Sequence, residues 1–370
     1  MMPLMVPRVA GIGLAAAFLL ASCHRREEPV SPRAAAAIPR FDVHSHIGPR
    51  DLSKTLELDA RHRVVGLVNL SGGHGAVLEM QLAAARSYPD RVLVFASVDP
   101  KQFLEPGWVE RQVQELRRAK GKGARGLKFF KALGLGYVDP IGERVKVDDP
   151  RLDPIFEECG RLGMPVSMHV GDPKAFFRPP TPDNERFEEL SRNPGWSFYG
   201  RGFPRWEELF SEYERRVARH PGTQFIGVHF GNDPEEPERV AGMLDRYPNL
   251  SVDTAARVGE IGRMAPERLR AIFLTHSKRI LFGTDFSFFD GEMSLGAPDG
   301  SSPGLEEADR FFSLHWRFFE TLDRRIPHPT PIQGRWTVDA IGLPEDVLHD
   351  FYHRNAERML GLAPLSVSAP

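Results

Sequence analysis

Cysteine is almost missing from this chain: its 370 residues contain two, Cys23 and Cys159. A disulfide framework is therefore excluded as the staple of the fold, and thiolates are too few for a closed structural zinc site. Cys159 falls within a helical-looking run, Pro154 to Leu162, and reads as a small buried apolar residue. An excess of either charge is also missing, with 48 Lys and Arg against 50 Asp and Glu and a net charge of −2. That balance excludes a nucleic-acid groove or polybasic membrane patch and points to a small-molecule partner. The apolar stretch Val9 to Leu20 is too short to span a bilayer. What is present, 41% hydrophobic and 26% charged side chains, suffices to bury a large core.

The first residues read as an address. Arg8 supplies a weak positive region, Val9 to Leu20 has the length of a signal-peptide core, and Leu20-Ala21-Ser22-Cys23 resembles the lipobox of bacterial lipoproteins. On that resemblance residues 1–22 are a signal peptide and Cys23 carries lipid, anchoring the protein in the bacterial cell envelope. The alternative is an ordinary secretory signal, or an uncleaved anchor, with Cys23 incidental. Residues 23–40 then read as a tether, being charged and Ala-rich without periodicity. Residues 41–362 form the domain and 363–370 a tail.

Within the domain, short continuous apolar runs alternate with helical stretches. The runs predict strands at Phe41 to Ile47, Val64 to Leu70, Val92 to Val98, Gly126 to Phe130, Pro165 to Val170, Gln224 to Phe230, Leu250 to Asp253 and Ile280 to Thr284. Eight such strands favour an α/β fold of the (β/α)8 TIM barrel type over an open sheet. Between strands, Trp206, Leu209, Phe210, Tyr213 and Val217 make one buried helical stripe, and Val109, Val113 and Leu116 a weaker one. Two connections exceed what a barrel needs, Gly171 to Pro204 after strand 5 and Phe286 to Gly304 after strand 8. Their aromatic content suits a pocket for an apolar or ring-bearing ligand, or a structural cap.

Chemistry concentrates at the downstream ends of those strands. His44 and His46, two apart, project to one side of a strand, and His169, His229 and Asp285 each follow an apolar run. Together with Asp42-Val43-His44-Ser45-His46, Met168-His169-Val170-Gly171, Gly227-Val228-His229-Phe230-Gly231, Gly283-Thr284-Asp285 and the tail Asn355 to Leu360, this pattern resembles the metal-dependent amidohydrolase superfamily, in the branch with aminocarboxymuconate-semialdehyde decarboxylase. The resemblance implies that His44, His46, His169 and Asp285 hold one divalent metal ion, zinc by expectation, with His229 beside it as acid or base. A second-ligand role for His229 is the alternative. Lys128 on the fourth strand is flagged as a bridging or substrate-binding residue, with Lys131 a weaker candidate. Asp42 and Ser45 are candidates to orient the paired histidines. Arg178, Arg201, Arg205 and Arg257 stand where an anionic group could bind, although each reads first as a solvated or salt-bridged arginine, and His74 sits on a rim loop, as a substrate contact or a plain helix-start histidine.

Three functions follow, in this order. The leading one is a metal-dependent hydrolase in which activated water attacks an amide, ester or lactone carbonyl, Asp285 carrying the proton. A metal-dependent non-oxidative decarboxylase of a cyclic or unsaturated carboxylic acid stands second. A non-catalytic, metal-containing binding lipoprotein stands third.

Overall fold

Continuous Val, Ile, Leu and Phe runs leave no polar face for solvent, so these strands are stable only with both faces covered. The computed structural model, which describes residues 28–365 except 201 and 299, arranges them that way. The strands are β1 (Arg40–Ile47), β2 (Val64–Asn69), β3 (Val92–Ser97), β4 (Gly126–Phe129), β5 (Val166–Met168), β6 (Phe225–Gly227), β7 (Leu250–Asp253) and β8 (Ile280–Leu281). Each pairs in parallel with the next. The ring closes where Val43 N–H donates to Phe282 O at 3.0 Å and Asp285 N–H to His44 O at 2.8 Å. The expected TIM barrel is the observed fold.

Strands β5, β6 and β8 are shorter than the apolar runs predict. The chain curls at their ends: His229, Phe230 and Asp285 have φ of 55°, 56° and 63°, in the left-handed region that side chains other than glycine rarely occupy. Beyond β8, β9 (Phe286–Phe289) joins β1 in parallel and turns back through β10 (Glu292–Leu295) as a hairpin. The long connection after β5 holds a short helix, Phe187–Arg192, between two tight helical turns.

The helix Trp206–Arg219 buries the predicted stripe. In Trp108–Lys122 the stripe is rotated by one residue, with Trp108, Gln112, Leu116 and Ala119 buried and Val109 and Val113 only partly covered. Hydrogen bonding explains the rotation. Trp108 Nε1 donates to Asp99 O at 2.9 Å, and Gln112 accepts from Asp99 N–H at 3.0 Å, so the tryptophan's larger apolar area and two polar partners win. Cys159 is buried, as expected, and burial pushes its thiol upward.

The upstream ends of the strands are sealed. Ala356 and Leu360 of the helix Asn355–Leu360 pack on Phe41, Val43, Val68, Leu93, Phe95, Ile226 and Leu281. Asn355 Nδ2 donates to Ile280 O at 2.6 Å, and Arg125, just ahead of β4, donates to Leu360 O at 2.9 Å. The second half of the segment read as a tether is packed on the domain instead: Val30 N–H donates to Leu343 O, and Ala35 and Ile38 are buried in the main core. Residues 30–38 are therefore part of the folded domain. The downstream ends, where the candidate residues lie, are left for the site.

His315, on the helix Leu305–Glu320, is fully buried, with Nδ1 2.8 Å from Phe311 O and no hydrogen-bond partner for Nε2 among the described residues. Burial pushes its pKa down to about 4, below the unfolded 6.5. The unfolded chain therefore binds more protons in that window, and this contribution to stability is present above pH 6.5 and lost as pH falls towards 4. A His315→Gln variant should lose less stability than the native chain between pH 6.5 and 4, by on the order of 3 kcal/mol in urea melts.

Candidate metal centre

The end of β1 brings His44 and His46 to the mouth of the barrel, and the curl at Asp285 turns its carboxylate towards them. Asp285 Oδ1 lies 3.4 Å from His44 Nε2 and 3.3 Å from His46 Nε2. Two ligand atoms each ~2.1 Å from one ion at a tetrahedral angle stand roughly 3.4 Å apart, so this spacing suits a shared cation. The remaining ring nitrogens are already engaged. His44 Nδ1 is 2.9 Å from Asp253 Oδ2 and His46 Nδ1 is 2.7 Å from Ser71 Oγ, which leaves both Nε2 atoms facing the centre. A divalent ion fits His44, His46 and Asp285 on this geometry.

Asp253 ends β7 and was not singled out in the sequence. It is fully buried, receives the N–H groups of His229 and Ala255 on Oδ1, and takes His44 on Oδ2. Burial raises its carboxyl to about 6 against those donated hydrogen bonds. A short strand ending in an acid is the signal that could have found it. An Asp253→Asn variant should stay folded by circular dichroism and lose ~10–100-fold in metal affinity by chelator competition.

His229 lies at 4.9 Å from His44 and 4.5 Å from His169, ring centre to ring centre. Its Nδ1 is 2.8 Å from Ala255 O, a contact that only an N–H can make usefully, so Nε2 is the bare nitrogen. Burial, then the nearby Arg257, hold its pKa well below the ordinary value. His44, His229 and Asp253 form a second close group of donor atoms, which keeps the second-ligand role for His229 geometrically open.

His169 differs from expectation. It joins neither close group of donor atoms among the described residues. Its Nε2 leans to 3.6 Å from Asp172, whose carboxylate pairs with Lys131 at 2.5 Å. Burial lowers His169 to about 4. A ligand role requires its Nε2 to turn away from Asp172.

Burial would raise the Asp285 carboxyl, but His44 and His46 outweigh it and hold it below the usual value. Lys128 projects from β4 among these groups, 1% exposed, with no hydrogen-bond partner for Nζ among the described residues. Burial drives it down to about 8, opposed by Asp253 and Asp285. Asp42 does not orient the imidazoles directly. It accepts His44 N–H, Ser45 Oγ and Thr284 N–H, tying β1 to the end of β8. His74 pairs loosely with Asp99 in a separate cleft with Arg111 and Lys122. Arg178 and Arg205 line a cleft in the connection after β5, Arg257 borders the centre itself, and Arg201 and Cys23 lie outside the described residues.

Left-handed backbone also gathers here: His229, Phe230, Asn232, Ala256 and Asp285 all have positive φ. Such conformations cost of order 1–3 kcal/mol each and persist where the surroundings enforce them, most often at functional sites.

A family model described as amidohydrolase matches residues 49–362. The chain belongs to the amidohydrolase family. That match begins downstream of His44 and His46, so geometry alone places those two residues. A curated relative of this amidohydrolase, 2-amino-3-carboxymuconate-6-semialdehyde decarboxylase of Dictyostelium discoideum, is 33% identical over 119 residues, which is 30% of each chain. Two solved structures share the fold. Dihydroxybenzoic acid decarboxylase from Polaromonas sp. JS666, with bound manganese and 2-nitroresorcinol, matches at 13% identity and TM-score 0.50, over 89% of this chain and 98% of that one. 4-Oxalomesaconate hydratase from Rhodopseudomonas palustris matches at 12% identity and TM-score 0.50, over 87% and 95%.

Proposed function

We propose that this amidohydrolase-family enzyme is a metal-dependent lyase that removes carbon dioxide from a small cyclic or unsaturated carboxylic acid. The observation that carries the reading is Lys128: a buried ammonium with no hydrogen-bond partner among the described residues, inside a metal-competent site, is paired by a carboxylate and left unpaired by a neutral ester or amide. The curated relative's decarboxylase activity supports the same reading.

His44, His46 and Asp285 would hold the ion, with zinc suited to the imidazole and carboxylate donors and His169 in reserve. Bound there, it would supply a Lewis-acid grip on a substrate oxygen. Lys128 pairs the substrate carboxylate. His229 relays a proton from solvent through Nε2 to the carbon that loses carbon dioxide: the bond to the carboxyl carbon breaks, its electron pair stays on that carbon, and a carbon–hydrogen bond forms with the relayed proton. Asp253 and Ala255 O keep the two imidazoles in the required tautomers.

Hydrolysis, the first reading from the sequence, stands second, favoured by the ionised Asp285 beside the ligand histidines. Parallel screens separate the two. Carbon dioxide from carboxyl-labelled aromatic and dienoic acids, without hydrolysis of esters, lactones or amides, supports the lyase; the reverse result replaces it. The proposal includes export and lipid attachment at Cys23, on the strength of the signal-like stretch before it. Labelled fatty acid should enter the native protein and not a Cys23→Ser variant.

A further inference from the structure

Strand β6 stops short of His229, yet the edge of β5 beside it stays paired. The last rungs of the β5–β6 ladder join Val166 with Phe225 and Met168 with Gly227, in the phase set by Val166 N–H donating to Gln224 O at 2.8 Å. Carried one residue further, a parallel ladder would set Val228 opposite His169, with Met168 O and Val170 N–H as its two partners. The chain curls away instead: His229, Phe230 and Asn232 have φ of 55°, 56° and 65°, and Val228 O accepts Asn232 N–H at 2.8 Å. The buried side chain of Asn232 takes over both partners. Its Oδ1 accepts Val170 N–H at 2.8 Å and its Nδ2 donates to Met168 O at 3.2 Å, the two bonds that flank His169. Asparagine suits the position twice, because it tolerates left-handed backbone and because its amide carries the donor and acceptor of a peptide unit. On the other side of β5, His169 N–H donates to Phe129 O at 3.0 Å. The curl points His229 N–H at Asp253 Oδ1, 2.8 Å away, and leaves the His169 and His229 rings 4.5 Å apart, centre to centre.

We infer that Asn232 is a positioning residue for the reaction: its side-chain amide stands in for the β6 backbone and fixes His169 against His229. The inference rests on the proposed part of His229 in proton transfer, and not on which bond the enzyme breaks. Without the amide, the stretch of β5 that carries His169 is held by β4 alone, and the buried Met168 O and Val170 N–H lose their partners. A misplacement of about 1 Å between reacting groups lowers a rate by on the order of 100-fold.

Imidazole NMR of histidine-labelled, zinc-loaded protein at one fixed pH tests this without turnover, the signals being assigned from His169→Gln and His229→Gln. Asn232→Gly keeps the left-handed backbone without steric strain and removes only the amide. Its His169 and His229 signals should move or broaden, while that of His315, on the helix Leu305–Glu320, stays in place. Asn232→Asp, which keeps the acceptor for Val170 N–H and loses the donor to Met168 O, should move the same two signals less. Asn249→Ala is the control for a merely structural role. That buried asparagine donates to the carbonyls of Val217, His220 and Thr223, so its loss should lower the melting temperature and leave both signals unmoved. With whichever substrate the carbon dioxide and hydrolysis screens identify, Asn232→Gly should lose ~100-fold in kcat with KM little changed. Unmoved signals or a native kcat in Asn232→Gly, the same shifts in Asn249→Ala, or loss of the fold in both Asn232 variants overturns the inference. Moved signals in a protein that hydrolyses and releases no carbon dioxide would retain Asn232 as the positioning residue and reject the lyase instead.

Discussion

Asp285→Asn should cut turnover by ~10³-fold or more while the protein stays folded. The loss has two parts: the oxygen facing both His44 and His46 gives up its charge, and the ion's contribution, worth several kcal/mol at about 1.4 kcal/mol per tenfold, goes with it. The binding-protein reading predicts otherwise, because a site that only holds a ligand has no turnover to lose. Steady-state rates beside a thermal melt on the same preparation decide between them. A variant that keeps more than roughly a tenth of the native rate would remove Asp285 from the centre.

Lys128→Met should make the protein more stable and less able to bind its substrate. At pH 7 the buried ammonium destabilises the fold, since its pKa is pushed from 10.5 down to about 8, on the order of 3 kcal/mol against folding. The sign is fixed by the direction. A cation whose folded pKa is depressed favours the unfolded state at every pH below the folded value, and the penalty fades as pH rises towards the unfolded one. Methionine fills similar space without charge, so thermal stability should rise. The same change removes a charge-assisted contact to a carboxylate, and KM should rise ~10–100-fold, as fits a bond of 1.5–3 kcal/mol. A structural role would move stability downwards and leave KM alone, so the opposed pair of effects is diagnostic.

Much of this site was legible in the sequence because strand-end placement is a local signal. Apolar runs of Val, Ile and Phe announce their own ends, and His44, His46, His229 and Asp285 sit on those ends. The family pattern then gave them roles. Asp253 escaped because an acid closing a short strand looks like any residue satisfying backbone amides, and two of its contacts are just that. Its third contact, to His44, links residues 209 apart in sequence, and pattern has no access to such pairs. The lean of His169 towards Asp172 was illegible for a related reason, since Lys131 sets the charge that fixes Asp172 there. Trp108 displaced Val109 from the helix stripe through a hydrogen bond that hydrophobic periodicity does not count. Docking of residues 30–38 was hidden by an Ala-rich composition that suits a tether as well as a short packed helix.

Metal content by elemental analysis, on protein lacking residues 1–23, tests the centre most directly when the native chain is measured beside His44→Ala and Lys128→Ala. One equivalent of a divalent ion, lost without His44 and kept without Lys128, is the expected result. Two equivalents falling to one without Lys128 would make Lys128 and His229 part of a binuclear site, and native protein that takes up no ion would contradict the metal centre altogether.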